Sequence, residues 1–172
     1  HTAYRRQRQM CIRDRAEVEQ HGWLQTRARV AVPGVLHAAV DAVLLRAAGA
    51  GAGVLVELDA ASMAASDQTV LGDAFLLRQA VINLLENAIA FSPDGGTVQL
   101  RTQLEDGQVQ LLVEDRGSGV PDYAIERVFE RFYSLARPQT GQRSSGLGLP
   151  FVREVARLHG GEFVPGGDVP EH

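Results

Sequence analysis

Asn83 and Asn87 stand four residues apart within Leu76 to Phe91, a stretch whose apolar residues recur at helical spacing. Side chains at that separation share a helix face, about 6 Å apart along the axis. Their amide oxygens are neutral, hard donors of the kind magnesium accepts while keeping most of its waters. Two solvent-facing helix residues would show the same spacing. Downstream, Asp115 ends a strand-like run and is followed by Gly117 and Gly119. A carboxylate placed there can accept from an exocyclic amino group and so select adenine over guanine, while the glycines let backbone close around a ring. A glycine-rich corner is the plainer alternative. Third, Gly146, Leu147, Gly148 and Leu149 open another helix-like run behind Ser144 and Ser145. Free amides and the helix dipole attract phosphate at such a start, and the serines add hydroxyl donors. In this order the three elements describe a site for a nucleotide and its metal. Asn87 is then the metal ligand, and Asn83 holds a metal-bound water or the phosphates.

Charge transfer at phosphorus needs cations as well. The chain has no lysine, so these must be arginines, backbone amides or metal. Arg131, Arg137 and Arg143 lie in or near the aperiodic stretch 134–145, and an arginine folded over a γ-phosphate stabilises the charge that builds during transfer. Each is equally compatible with a solvated surface charge. His21, His37 and His159 are isolated and read as structural or exposed, and one cysteine, Cys11, permits neither an internal disulfide nor a cysteine-based metal site.

The elements that must position these residues can be laid out along the chain. Residues 1–15 carry five arginines and one acid, without apolar periodicity, and read as a disordered or foreign leader. Without them 12 basic residues face 20 acidic ones, a net of −8, which argues against nucleic acid as a partner. Residues 16–31 read as the remnant of an upstream helix or linker broken at Val32-Pro33-Gly34, residues 32–165 as one domain, and residues 166–172 as a flexible tail. Val35 to Ala48 predicts an amphipathic helix, Val54 to Leu58 and Thr69 to Leu71 short strands, and Ala60 to Gln68 a loop. Asp73 is placed to cap the helix that carries the asparagines, and Ser92 to Gly96 to end it. Thr97 to Leu104 and Val109 to Asp115 alternate around an Asp-Gly pair, a hairpin. A short helix from Pro121, an aperiodic lid over 134–145 and a helix from Pro150 to His159 complete the order. Hairpin-joined strands among helices predict a two-layer α/β (α+β) sandwich: a mixed, mostly antiparallel sheet with helices on one face. A Gly-x-Gly after a strand also suggests a dinucleotide turn, but the third glycine is missing and Pro121 falls where that helix must continue.

Taken together, the motifs resemble those of a known family. Leu77 to Ser92 resembles the N box of sensor histidine kinases, and Asp115 to Gly119 the first glycine box. Phe129-Glu-Arg-Phe-Tyr133 resembles the F box, and Gly146 to Leu149, running into Phe151-Val-Arg-Glu-Val155, the second glycine box. The resemblance spans Gly72 to Gly161, about half the chain. It implies a Bergerat, or GHKL-type, sandwich that binds ATP and Mg²⁺. It also implies phosphoryl transfer to a histidine on a separate helical dimerisation domain of the same parent, and a response regulator beyond it. The parent would be a homodimer anchored in the inner membrane with this domain in the cytoplasm. The resemblance carries metal binding onto Asn87, adenine recognition onto Asp115 and phosphate contact onto Gly146 and Gly148, with Phe91 placed to stack on adenine. The nucleotide site as a whole is expected to comprise Asn83, Asn87, Phe91, Asp115, Gly117, Gly119, Arg131, Tyr133, Ser145, Gly146, Leu147, Gly148 and Leu149, with Asn83 and Arg143 as the expected catalytic residues.

Several positions depart from the family pattern. Ala90 stands where many relatives carry a basic residue, so Arg143 or Arg137 is expected to supply that phosphate contact. No histidine is followed by the phosphoacceptor pattern, and a closing sheet strand is expected to be missing or replaced. An ATP-hydrolysing clamp would place a glutamate at position 83, because an amide cannot act as the base that activates water. A degenerate, non-catalytic nucleotide-binding module is the remaining alternative.

Overall fold

The computed structural model describes residues 4–13, 27–50, 53, 55–64, 68–92, 95–115 and 148–170. Seven strands and four helices follow one another in the order β1 (Tyr4–Arg13), β2 (Ala28–Ala31), α1 (Val32–Ala50), β3 (Leu55–Leu58), α2 (Ala60–Met63), β4 (Thr69–Gly72), α3 (Ala74–Phe91), β5 (Thr97–Glu105), β6 (Gln108–Asp115), α4 (Gly148–Leu158) and β7 (Glu162–Pro170). Five strands form one sheet in the order β3-β5-β6-β1-β7, while β2 and β4 pair separately. Only β3 and β5 run parallel; every other pairing is antiparallel. The expected mixed, two-layer sandwich is therefore the fold observed.

Period-two alternation decides which face of the sheet is dry. Val98, Leu100 and Thr102 of β5 and Val109, Leu111 and Val113 of β6 are buried. The opposite face carries Gln99, Arg101, Gln103, Gln110 and Glu114, and its members bond one another: Arg101 to Glu114 at 3.0 Å, Gln103 to Gln110 at 2.5 Å. Leu112 lies on that polar face yet is 2% exposed, flanked by its register partners Gln9 and Arg101. The hairpin turn is the one its Asp-Gly predicts. Asp106 (φ 52°) and Gly107 (φ 72°) are both left-handed, which matches the twist of the flanking strands.

The helix bearing the asparagines forms as expected. The Asp73 carboxylate accepts from the Leu76 amide at 3.1 Å, capping the first turn. Leu77, Ala80, Val81, Leu84, Leu85 and Ala88 are each 2% exposed or less and pack against α1, α4 and the sheet. Removing one of these side chains leaves a cavity that the packed neighbours cannot collapse. Leu85→Ala is expected to cost about 3 kcal/mol of unfolding free energy. Denaturant melts should show a lower midpoint at unchanged slope, and a loss below about 1 kcal/mol would contradict the packing described.

Five expectations are corrected. Val32-Pro33-Gly34 does not break the chain but begins α1, since a proline in the first helical turn lacks only an amide that would go unbonded there. Ala28–Ala31 is a strand rather than the end of a helix, paired with β4 through Val30 and Val70. Ala60–Met63 is a helical turn rather than loop, because the Asp59 carboxylate accepts from the Ser62 amide and hydroxyl. In turn, Ser62 Oγ accepts from the Thr102 amide at 2.8 Å, on a part of β5 that β3 does not reach.

The fourth correction is the largest. Tyr4–Arg13 is a strand, not a leader outside the fold, and it lies between β6 and β7. Met10 sits opposite Leu111 and Phe163, and Ile12 opposite Val109, so two alternating apolar residues enter the core. Two backbone ladders supply the rest, and ladders do not depend on side-chain type. The expected tail is likewise ordered as far as Pro170. It runs at the edge of the sheet, where proline is tolerated, and Gly166 and Gly167 fall at a register shift opposite Gln7. The helix expected from Pro121 and the lid over 134–145 lie outside the described residues.

Candidate functional site

Two of the three sequence elements meet in space. Gly148, the first residue of α4, backs onto Asn83 of α3. A Cβ at Gly148 would lie 3.9 Å from Asn83 Cβ and 4.0 Å from its Cγ. The glycine therefore leaves open a space, about one methyl group deep, beside the Asn83 amide at a helix N-terminus. Leu149 follows in the first turn of α4, half-buried against the core cluster.

Asn87 lies one turn further along α3 and, like Asn83, is half-buried. The intervening Glu86 faces elsewhere. Successive residues turn by about 100°, so Glu86 and Asn87 point well apart. The Glu86 carboxylate is ion-paired with Arg46 of α1. That pair draws the Glu86 carboxylate toward α1.

Asp115 is 2% exposed at the end of β6. It lines a cavity of about 270 Å³ together with Glu57, Gly95, Gly96, Thr97, Gln99 and Glu114. Asn83 and Asn87 do not line that cavity; α3 crosses β6, which brings their helix over the strand that Asp115 ends. Gly95, with φ +78°, supplies the left-handed turn that returns the chain from α3 into β5 beside Asp115. Gly117, Gly119, Arg131, Tyr133, Arg143, Ser145, Gly146 and Leu147 lie outside the described residues, as do Arg137, Ser144 and the side chain of Phe91.

The donors suit magnesium only in part. Asparagine amides are acceptable oxygen ligands. Among the described residues no group of three His, Cys, Asp or Glu could hold a metal. An ion seated at Asn87 would thus draw its other ligands from phosphates and water.

One contact escaped the sequence reading. His159, read as isolated, is buried, and its Nε2 accepts from the Asp73 amide at 3.0 Å. The only sequence signal was a histidine at a helix end directly before Gly160, whose φ of +73° ends α4.

Comparison with known proteins identifies the family and the fold. Residues 72–167, more than half the chain, match the family described as histidine kinase-, DNA gyrase B-, and HSP90-like ATPase. The sensor protein CreC of Escherichia coli (strain K12) is 54% identical over 99 residues, which cover 58% of this chain and 21% of CreC. The chain thus spans about a fifth of that relative's length. Among solved structures, a mycobacterial sensor histidine kinase, MprB, superposes with a TM-score of 0.62 at 27% identity, covering 85% of this chain and all of that one. Full-length ShkA in complex with AMPPNP superposes with a TM-score of 0.60 at 26% identity, covering 88% of this chain and 33% of ShkA. With its four motifs in order, its mixed sheet under three long helices and a family match over more than half its residues, the chain belongs to the histidine kinase-, DNA gyrase B- and HSP90-like ATPases.

Proposed function

We propose that this chain is the MgATP-binding catalytic domain of a sensor histidine kinase. It presents the γ-phosphoryl group to a histidine carried by a separate helical dimerisation domain of the parent protein. The observation that carries the reading is the apposition of Asn83 and Gly148, which sets an amide side chain against a glycine-opened helix start. That is a junction suited to phosphate, since the free amides at the start of α4 meet an uncharged amide there. The likeness to CreC and MprB and the nucleotide analogue held by ShkA support it further.

In this reading Asn87 binds the metal, Asn83 orients phosphate, Asp115 recognises adenine, and Phe91 and Tyr133 flank the ring. Gly117 and Gly119 close the backbone around the base. Ser145, Gly146, Leu147, Gly148 and Leu149 form the phosphate cradle, and Arg131 and Arg143 neutralise charge, with Arg143 or Arg137 acting in place of the basic residue absent at Ala90. Magnesium, when bound, neutralises phosphate charge and fixes its geometry. The protein contributes position and electrostatics, with the nucleophile supplied from elsewhere. Asn83 cannot serve as a general base, which favours transfer over hydrolysis. No described helix is long and apolar enough to cross a membrane; the parent is read as a homodimer anchored in the inner membrane, with this domain in the cytoplasm and a response regulator as the next acceptor.

The test is incubation with γ-labelled ATP and a matched histidine-bearing helical domain. Acid-labile, base-stable label on that partner is the expected result. Steady-state hydrolysis without transfer would instead identify an ATPase, and nucleotide binding with neither would identify a degenerate module.

A further inference from the structure

His159 follows the last residue of α4 and is 6% exposed. Its Nδ1 is 2.7 Å from the Val155 carbonyl oxygen, and its Nε2 is 3.0 Å from the Asp73 backbone nitrogen. A backbone amide can only donate and a carbonyl can only accept. The ring is therefore neutral, with its proton on Nδ1 and its lone pair on Nε2. The Cδ2–Nε2 edge of the ring also lies against Gly72, where any Cβ would overlap both atoms. Glycine is required at 72 for space, not for backbone conformation.

This contact is one of those through which α4 packs on α3. At one end Gly148 meets Asn83; at the other His159 meets Asp73. Ten residues separate Asp73 from Asn83, and eleven separate Gly148 from His159. At about 1.5 Å per residue both spans are about 15–16 Å, so the helices run antiparallel with their contacts in step. A bond at one end consequently sets the axial position of the other.

We propose that His159 is a positioning residue for nucleotide binding: its neutral ring latches the end of α4 to the first turn of α3, holds Gly148 against Asn83, and lets go on protonation. The proposal rests on the reading that Asn83 and Gly148 belong to the nucleotide site. Protonation would turn an N–H toward the Asp73 N–H, two donors facing each other. Burial is the main force keeping the ring neutral, and the positive charge of Arg27, just ahead of β2, adds to it. The Val155 carbonyl and the Asp73 carboxylate oppose it. The balance holds the folded-state pKa below the ordinary 6.5. The latch therefore contributes fully above pH 6.5 and is lost as pH falls through the lower folded value.

Two amide substitutions separate the ring's two bonds. In His159→Gln the side-chain oxygen reaches the Nε2 position, accepts from Asp73 and does not titrate. In His159→Asn the side-chain nitrogen takes the Nδ1 position, donates to Val155 and cannot reach Asp73. MgATP binding is measured by calorimetry on the whole chain from pH 7.5 to 5.0, with Asn87→Ala as control. At pH 7.5 His159→Gln should bind within about threefold of wild type and His159→Asn about tenfold more weakly, the fold-change of one lost hydrogen bond. Toward pH 5 the wild type should weaken relative to His159→Gln in the same buffers. Wild-type binding by Asn87→Ala would overturn the site reading itself. If that control loses binding while both His159 variants match wild type at every pH, the latch alone is overturned. A measurement on the unmodified chain guards against variants that do not fold: in a ¹⁵N NMR titration, the amide of Gly148 should shift with the midpoint of the His159 Nε2 signal. A Gly148 amide that ignores that midpoint also overturns the proposal.

Discussion

Asn87→Ala is expected to abolish magnesium-dependent ATP binding, weakening it by at least about 100-fold. That is the scale of a lost interaction with a charged group in a partly desolvated site. The side chain lies on the half-buried face of α3 beside Asn83, off the stripe of Leu77, Leu84 and Leu85 that anchors the helix. Truncation should therefore spare the fold: alanine is a better helix former than asparagine, and no core contact is removed. Titration calorimetry with magnesium and with a chelator separates the effects. The wild type should lose affinity on chelation, and the variant should bind at that lower level under both conditions. Wild-type affinity in the variant would remove Asn87 from the site.

Asp115→Asn should convert a selective site into a tolerant one. The carboxylate offers acceptors only, which suits the exocyclic amino group of adenine and repels the carbonyl that guanine presents at the same ring position. An asparagine of the same shape can turn either its oxygen or its nitrogen toward the base. With Asp115 2% exposed, water cannot compensate for a mismatch. ATP affinity is expected to fall by about tenfold or more, and the preference for ATP over GTP by a larger factor, since the variant gains a donor for guanine. Competition binding with the two nucleotides measures this ratio directly. An unchanged ratio would mean that Asp115 shapes the strand end without touching the base.

Both predictions draw on residues whose carrying elements were legible before any fold was known, and the reason is locality. The cap at Asp73, the apolar stripe of α3 and the Asp106-Gly107 turn are each decided by neighbours within a few residues. Each is an interaction that the chain makes with itself over one or two turns. The errors fell where pairing is long-range. Tyr4–Arg13 looks unfit for a core by composition, yet it is flanked by β6 and β7, and backbone ladders with Met10 and Ile12 offset the arginines. Likewise Ala28–Ala31 is a strand only because Thr69–Gly72 lies beside it.

By itself the sequence determined the motif set, the helix that carries Asn83 and Asn87, the hairpin that ends at Asp115 and the layered α/β class, because periodicity and turn chemistry are written in adjacent residues. Only the tertiary structure decided that Gly148 backs onto Asn83, that Glu86 is drawn aside by Arg46 and that His159 closes on Gly72 and Asp73. Those contacts join residues 40 to 87 positions apart. Their geometry depends on how helices seat on a shared sheet, a packing outcome that no local pattern specifies.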